Sequence, residues 1–358
     1  MGAALIGIGT ARPEGRVDQQ TAGRLAEEFG CRDEGERRLL RVLYRRTGVK
    51  ERGSVLLVPG EVGAPSFFPA PSGPGDRGPG TGARMGRYVE EAPRLAVEAS
   101  RRALEAAGLE ARDVGQVLTV SCTGFFAPGV DVTLMRTLGL PVTAGRTHIG
   151  FMGCHGALNA LRVAAPLAGG AEGGAALVCA VELCSLHFQY GWDPDQVVAN
   201  ALFADGAAAA VVAPDDGRGW PVRSSRSWLL PGSTDAMTWR IGDHGFQMTL
   251  SAAVPDLIRD HLRPGLDDWL GEHGVGVEDV RTWAIHPGGP RIVSQVAETL
   301  GLAAEATAVS REVLAECGNM SSPTILFILE RLMRSGAALP CVALGFGPGL
   351  TAEAALFA

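Results

Sequence analysis

Short apolar runs bounded by glycine and polar residues alternate along the chain with longer stretches whose apolar positions recur at helical intervals. These are the marks of buried strands and amphipathic helices respectively. Residues 3–9 read as a short buried strand, and Glu36 to Arg46 as an arginine-rich amphipathic helix. Prolines and glycines dominate from Val58 to Gly82, which predicts an irregular surface loop. A helix is expected from about Tyr88 to Ala107, followed by a strand over Gln116–Val120 that closes on Ser121-Cys122-Thr123-Gly124. A helix over Val130–Leu138 and a strand over Ala176–Glu182 come next, and Asp205-Gly206 reads as a tight turn feeding the apolar run Ala207–Val212. This alternation predicts an α/β protein with mostly parallel sheets.

The second half of the chain repeats the first. Asp113-Val114 before a strand recurs as Asp279-Val280 before Thr282–His286, and Leu138-Gly139-Leu140 recurs as Leu300-Gly301-Leu302. Gly153-Cys154 ahead of a helix recurs as Gly318-Asn319 ahead of a helix over Ser322–Leu332, 165 positions later. The strand Ala175–Val178 recurs as Pro340–Ala343 at the same offset. The pattern predicts an internal duplication into two similar α/β units, residues 1–215 and 216–358. Packed about a pseudo-twofold axis, two such units bring equivalent helix N-termini together, and with them Cys154 and Asn319.

Cys154 lies in Gly150-Phe151-Met152-Gly153-Cys154-His155-Gly156, where small residues precede a strong helix-forming run. A thiol at such a strand-to-helix turn is activated, because the free N–H groups of a helix start favour thiolate. A lone cysteine in apolar surroundings is equally at home as a core residue, so the pattern by itself leaves both readings open. His286 ends a buried strand and is followed by the rigid turn Pro287-Gly288-Gly289-Pro290, at the strand edge where α/β sites form. A core histidine satisfied by backbone is the competing reading. His155 is expected to start the helix beside Cys154 and point elsewhere. Arg45 and Arg46 close the cationic helix, whose face is either simply solvated or an anchor for an anionic handle such as the phosphates of coenzyme A.

Composition narrows these options. A length of 358 residues and a hydrophobic content of 46% support a substantial core. A net charge of −7 without a concentrated basic block argues against nucleic acid or an anionic membrane as the main partner. No apolar run is long enough for a membrane span and the N-terminus lacks the order of a signal peptide, so a cytoplasmic location is expected. Seven irregularly spaced cysteines, with no CxxC pair and no HExxH, read as reduced thiols and not as a disulfide framework or a zinc site.

Four motifs together resemble one family. They are Gly153-Cys154, Ile285-His286-Pro287-Gly288-Gly289-Pro290, Cys317-Gly318-Asn319-Met320-Ser321-Ser322 and Gly345-Phe346-Gly347-Pro348-Gly349. The chain is similar over nearly its whole length to the type III polyketide synthases, the chalcone and stilbene synthase relatives. The resemblance implies a thiolase-like, internally duplicated, five-layered αβαβα fold and a homodimer. It also implies iterative decarboxylative condensation of malonyl-CoA onto an acyl-CoA starter, with no metal or redox cofactor. Catalysis would fall to Cys154 as the acyl-carrying nucleophile, with His286 and Asn319 binding the thioester oxygen where enolate charge develops. An imidazolium at His286 would lower the thiol pKa.

By the same resemblance Phe203 and Met248 stand at the gate between the CoA tunnel and the cavity. Met248 occupies a position that is usually phenylalanine, and a flexible thioether there would admit aliphatic starters. Cavity positions carried over are Cys122, Thr123, Glu182, Cys184, His187, Ala199, Trp239 and Ser321, with Gly345, Phe346, Gly347, Pro348 and Gly349 as an active-site loop. Trp239 replaces a small residue of the plant enzymes and should block a chalcone-sized cavity. Cys122 with Cys184 resembles bacterial tetrahydroxynaphthalene synthases, whereas His187 and Met248 depart from them, so alkylpyrone and alkylresorcinol synthases stand alongside. The competing readings are a ketoacyl synthase III-like acyltransferase using a carrier protein, a silent ligand-binding relative, and a metalloprotein.

Overall fold

The computed structural model describes residues 2–58, 67–73, 75–170 and 174–358. The N-terminal half runs β1 (Ala3–Ala11), β2 (Arg16–Asp18), α1 (Gln19–Gly30), α2 (Glu34–Arg46), β3 (Glu51–Gly53), α3 (Thr81–Ala107), β4 (Val114–Ser121), α4 (Val130–Leu138), β5 (Gly145–Gly150), α5 (Gly156–Ala168), β6 (Ala175–Leu183), α6 (Pro194–Leu202) and β7 (Asp205–Pro214). The C-terminal half runs β8 (Trp220–Leu229), β9 (Met237–Gly242), β10 (Gly245–Leu250), α7 (Val254–Gly271), β11 (Thr282–Ile285), α8 (Pro290–Leu300), α9 (Ala308–Cys317), α10 (Thr324–Arg334), β12 (Cys341–Gly347) and β13 (Thr351–Phe357).

Nine strands join in the order β11-β12-β13-β8-β1-β7-β6-β4-β5. Outward from the centre, β1 answers β8, β7 answers β13, β6 answers β12 and β4 answers β11. Pair directions match as well: β1–β7 and β8–β13 are antiparallel, as are β7–β6 and β13–β12, whereas β6–β4 and β12–β11 are parallel. Within the nine-stranded sheet the two halves are joined where Ala4 pairs with Pro221 and Leu5 with Trp220. The expectation of mostly parallel sheets is therefore corrected to a mixed sheet. β13 follows β12 through a single tight turn, and α6 packs beside α1 and α2, so neither connection crosses a sheet face and both return strands run antiparallel.

α5 and α10 fill the space between the two halves of the sheet. Their apolar residues share one core with Leu118, Val178 and Ala208 on one side and Ala284, Ala343 and Ala355 on the other. A helix covered by sheet on both faces must be apolar nearly all round, which the run Gly156-Ala157-Leu158-Asn159-Ala160-Leu161 achieves. α3 and α4 cover the outer face of the N-terminal half, and α7 and α8 that of the C-terminal half. The layers are thus α, β, α, β, α.

Three expectations shift in detail. α3 starts at Thr81, earlier than its periodicity predicts, because Arg84 is fully buried and donates to the carbonyls of Pro79, Leu186 and Phe188, which offsets two glycines in the first turns. Of the expected loop 58–82, residues 59–66 and 74 lie outside the described residues, and those described up to Gly80 follow an irregular path. Asp205-Gly206 is no turn: both residues belong to β7, and the Asp205 carboxylate accepts the N–H groups of Ser185 and Val55, tying three segments together.

Candidate active site

The thiol of Cys154 stands at the junction of β5 and α5, on a short 3₁₀ turn over Gly153–His155. Gly153 is left-handed at φ +66°, and Pro348 Cδ would lie 2.6 Å from any Cβ there. Its repeat partner Gly318 is left-handed too, at φ +72°. Each half thus turns its chain the same way ahead of its central helix. Cys154 is buried, and burial pushes its thiol up to about 11, with the nearby Glu182 adding to the rise while the neighbouring polar side chains of Ser321 and Asn319 oppose it. The expected thiolate-favouring helix start is outweighed by desolvation, so the resting thiol is protonated at neutral pH.

His286 follows β11 directly, and its N–H donates to the Leu344 carbonyl at 2.8 Å. It is 1% exposed, and neither ring nitrogen has a hydrogen-bond partner among the described residues. Burial pushes its pKa down to about 3, and the neighbouring His155 adds to the shift, so the imidazole is neutral. Asn319 is locked by its backbone, which donates to the Leu202 carbonyl and accepts from the Ala204 N–H, each at 2.9 Å. Its Oδ1 accepts the Ser321 N–H at 2.8 Å, and Nδ2 is a buried donor without a hydrogen-bond partner among the described residues. Buried polar groups are nearly always paired, so the unpaired nitrogens of His286 and Asn319 stand out among the buried polar atoms of the described residues.

Cys154 lines a cavity that opens to solvent, whereas His286 and Asn319 do not reach its wall. Phe203, Met248, Cys122, Thr123, Cys184, His187, Ala199, Trp239 and Ser321 all line it. Trp239 and Met248 face each other across the β9–β10 hairpin. His187 accepts the Phe246 N–H on Nδ1 at 3.0 Å and therefore carries its proton on Nε2, which donates to the Thr123 carbonyl at 2.6 Å. Its ring stacks on Phe246 at 4.1 Å and meets the edge of Trp239 at 5.6 Å. Burial pushes this imidazole down to about 3, so it is a fixed neutral wall.

Glu182 is corrected from wall to support. Fully buried behind the cavity, its carboxylate accepts the N–H groups of Cys122 and Thr123, the Thr123 hydroxyl at 2.6 Å and the Ser322 hydroxyl at 2.5 Å. It thereby ties the Cys122 wall to the Ser321 wall across the two halves. The expected loop Gly345–Gly349 is corrected as well. Gly345, Phe346 and Gly347 are strand residues of β12, Phe346 faces the outer core, and only Pro348 reaches the cavity before Gly349 completes the turn. Arg45 and Arg46 are exposed on the last turn of α2 and do not line the cavity.

Sequence reasoning missed a second arm of this cavity, walled by Val17, Leu25, Phe29, Tyr44, Leu56 and Phe68, with Arg52 among them. It also missed a polar chain behind the nucleophile. His155 Nδ1 meets Asn159 Oδ1 at 2.7 Å, Asn159 Nδ2 donates to Glu353 Oε2 at 2.8 Å, and Arg162 Nε lies 3.4 Å from Glu353 Oε1. Because Asn159 spends its amide donor on Glu353, its oxygen accepts from His155, which fixes the Nδ1–H tautomer. The helical spacing of Asn159 and Arg162 places both on one face of α5, a signal that was available beforehand.

Comparison with known proteins gives this geometry its class. The family model for chalcone and stilbene synthases, N-terminal domain, matches residues 2–216, and that for their C-terminal domain matches residues 222–358. The chain belongs to the chalcone and stilbene synthase family, as a type III polyketide synthase of the bacterial kind. It is 34% identical to the alpha-pyrone synthesis polyketide synthase-like Pks18 of Mycobacterium tuberculosis, across 99% of this chain and 91% of that protein. It is also 34% identical to the 1,3,6,8-tetrahydroxynaphthalene synthase of Streptomyces peucetius, across 98% of this chain and 92% of that one. The crystal structure of PKS-I from the brown alga Ectocarpus siliculosus superposes with a TM-score of 0.93 at 32% identity, covering 99% and 98% of the two chains. The protein is accordingly an acyl-transferring condensing enzyme that works on acyl-CoA and malonyl-CoA and needs no cofactor beyond these thioesters. Among the described residues no helix is long and apolar enough to cross a membrane.

Proposed function

We propose that Cys154, His286 and Asn319 carry the condensation, and that the product is an alkylpyrone or a related cyclised phenolic built on an aliphatic starter. The neutral imidazole of His286 takes the thiol proton as Cys154 sulfur attacks the starter carbonyl, and returns it to the departing CoA thiolate. Loss of carbon dioxide from malonyl-CoA then leaves an electron pair as an enolate, whose oxygen is met by the free Asn319 Nδ2 and the ring N–H of the neutral His286. The enolate carbon forms a bond to the acyl carbon and expels the Cys154 thiolate, which recaptures the lengthened chain for the next round.

The observation that supports this reading is the set of buried nitrogens unpaired among the described residues, both of His286 and Nδ2 of Asn319, with the Asn319 side chain near enough to the cavity thiol to oppose its rise in pKa. Histidine and asparagine, both from the C-terminal half, offer donors to one developing oxyanion, while the N-terminal half supplies the thiol. The expected boundary, residues 1–215 with Cys154 and 216–358 with His286 and Asn319, accords with the matched strand order about β1 and β8.

The apolar arm supports the aliphatic starter. Each added methylene buried there is worth about 0.8 kcal/mol, roughly a fourfold gain in binding, until the arm is full. Starter-CoA series from two to ten carbons, with products read by mass spectrometry, test this: kcat/KM should climb with chain length and then fall. Exposed Arg45 and Arg46, which have no ion-pair partner among the described residues, are placed to take CoA phosphates. Homodimerisation through β5 accords with its open edge in the sheet and with the exposed Phe125, Phe151 and Met152 beside it. A cytoplasmic location is the matching expectation for a cysteine set that forms no disulfide.

A further inference from the structure

Arg52 lines the cavity, and its cation has no counter-ion among the described residues. It lies on β3 opposite Val17 of β2, and both residues line the apolar arm. Its Nη1 is held by two carbonyl oxygens, those of Asn200 at 2.5 Å and Phe203 at 3.0 Å. Among the described residues no carboxylate comes within ion-pair distance of it. The carboxylate of Asp205, which belongs to the strand following Phe203, is occupied by Ser185 and Val55. Arg52 Nε is buried without a partner, and so is the hydroxyl of Tyr44, whose ring lies 5.7 Å from the guanidinium carbon and which is itself 3% exposed. Arg52 as a whole is half-buried, and an anion at its free edge would offset the cost of withdrawing the guanidinium from water.

The position of this cation matters as much as its isolation. Its side chain packs against Gly318, the residue before Asn319, so that a Cβ on Gly318 would lie 3.0 Å from Arg52 Cγ. The carbonyl it grips belongs to Phe203, which pairs with Asn319 in an isolated bridge. The charge therefore sits between the gate and the amide that faces the thioester.

We propose that Arg52, with the Tyr44 hydroxyl beside it, is the docking site for the carboxylate of an incoming malonyl thioester. The inference rests on the proposed function. Nη1 is anchored by the two carbonyls, so the remaining guanidinium edge offers the planar donors that suit a carboxylate. A starter acyl-CoA has no free carboxylate and gains nothing from this site, whereas every extender unit does.

The test measures initial rates with malonyl-CoA varied at saturating hexanoyl-CoA, together with the rate at which hexanoyl-CoA acylates Cys154 by intact mass, for wild type, Arg52→Met and Arg52→Lys. Arg52→Met should raise the KM for malonyl-CoA about tenfold, the loss expected for one charged hydrogen-bonded contact, and change the acylation rate far less. Arg52→Lys, which keeps the charge, should recover most of the KM. An unchanged malonyl-CoA KM overturns the proposal. So does a parallel loss of acylation, which would mean that Arg52 grips CoA phosphates or merely supports the wall. A wild-type chain that forms neither adduct nor product defeats the underlying function instead.

Discussion

Trp239 Nε1 donates to the Cys122 carbonyl across 2.7 Å. The hydrogen bond fixes the largest side chain on the cavity wall to the strand end that also carries the Thr123 support, so the bulk of the indole cannot rotate aside. Trp239→Gly should therefore open the chamber and shift the product spectrum towards longer chains or bulkier starters, whereas Trp239→Phe, which keeps bulk and loses the hydrogen bond, should shift it less. Product mass spectra over one starter panel check both, and an unaltered spectrum for the glycine variant would remove Trp239 from the cavity wall.

The thiol of Cys154 is pushed up to about 11 and His286 down to about 3, both mainly by burial. Below its pKa a thiol gains about tenfold in thiolate per pH unit. Iodoacetamide should therefore alkylate Cys154 about ten times faster at each unit from pH 7 to pH 10, with no limb from His286, which stays neutral throughout. Following the Cys154 peptide by mass spectrometry measures this. A rate already level near pH 7 would mean a preformed thiolate–imidazolium pair.

Glu353 is fully buried and takes its polar partners from Asn159 and Arg162. Asn159→Leu removes the link in the middle, stranding a carboxylate oxygen on one side and the His155 N–H on the other. Loss of stability of about 2–3 kcal/mol is expected, read as a lower urea midpoint at unchanged slope. A midpoint equal to wild type would show that the chain of contacts bears no weight.

Phe125 and Phe151 are exposed beside the free edge of β5, with ring centroids 6.1 Å apart. If that edge is the dimer seam, sedimentation should report a species of about twice 37.3 kDa for wild type. Phe125→Asp should then lower the association at micromolar concentration. A wild-type chain sedimenting as a monomer would contradict the seam.

Much of this site was legible beforehand, and the reasons for success and failure are physical. Cys154 was found because a glycine-rich break followed by a helix-forming run has few other meanings, and Asn319 because the same break recurs in the second half. Glu182 was misplaced by one layer: alternation along β6 identifies the strand end, but the strand is buried on both faces, so no polar face marks which side opens to the cavity. Arg52 lies on a strand of three residues, too short for any periodicity to reveal its direction. The antiparallel strands β7 and β13 were hidden because an apolar run does not encode its direction, which is set by how its connection packs.

Intact-mass analysis of the wild-type chain after exposure to hexanoyl-CoA, with the adduct mapped by peptide sequencing, tests the central claim most directly. A single hexanoyl thioester on Cys154, absent from Cys154→Ala and followed by product only when malonyl-CoA is added, is the predicted result. An adduct on Cys122 or Cys184 with Cys154 untouched, or condensation that survives in Cys154→Ala, would contradict it.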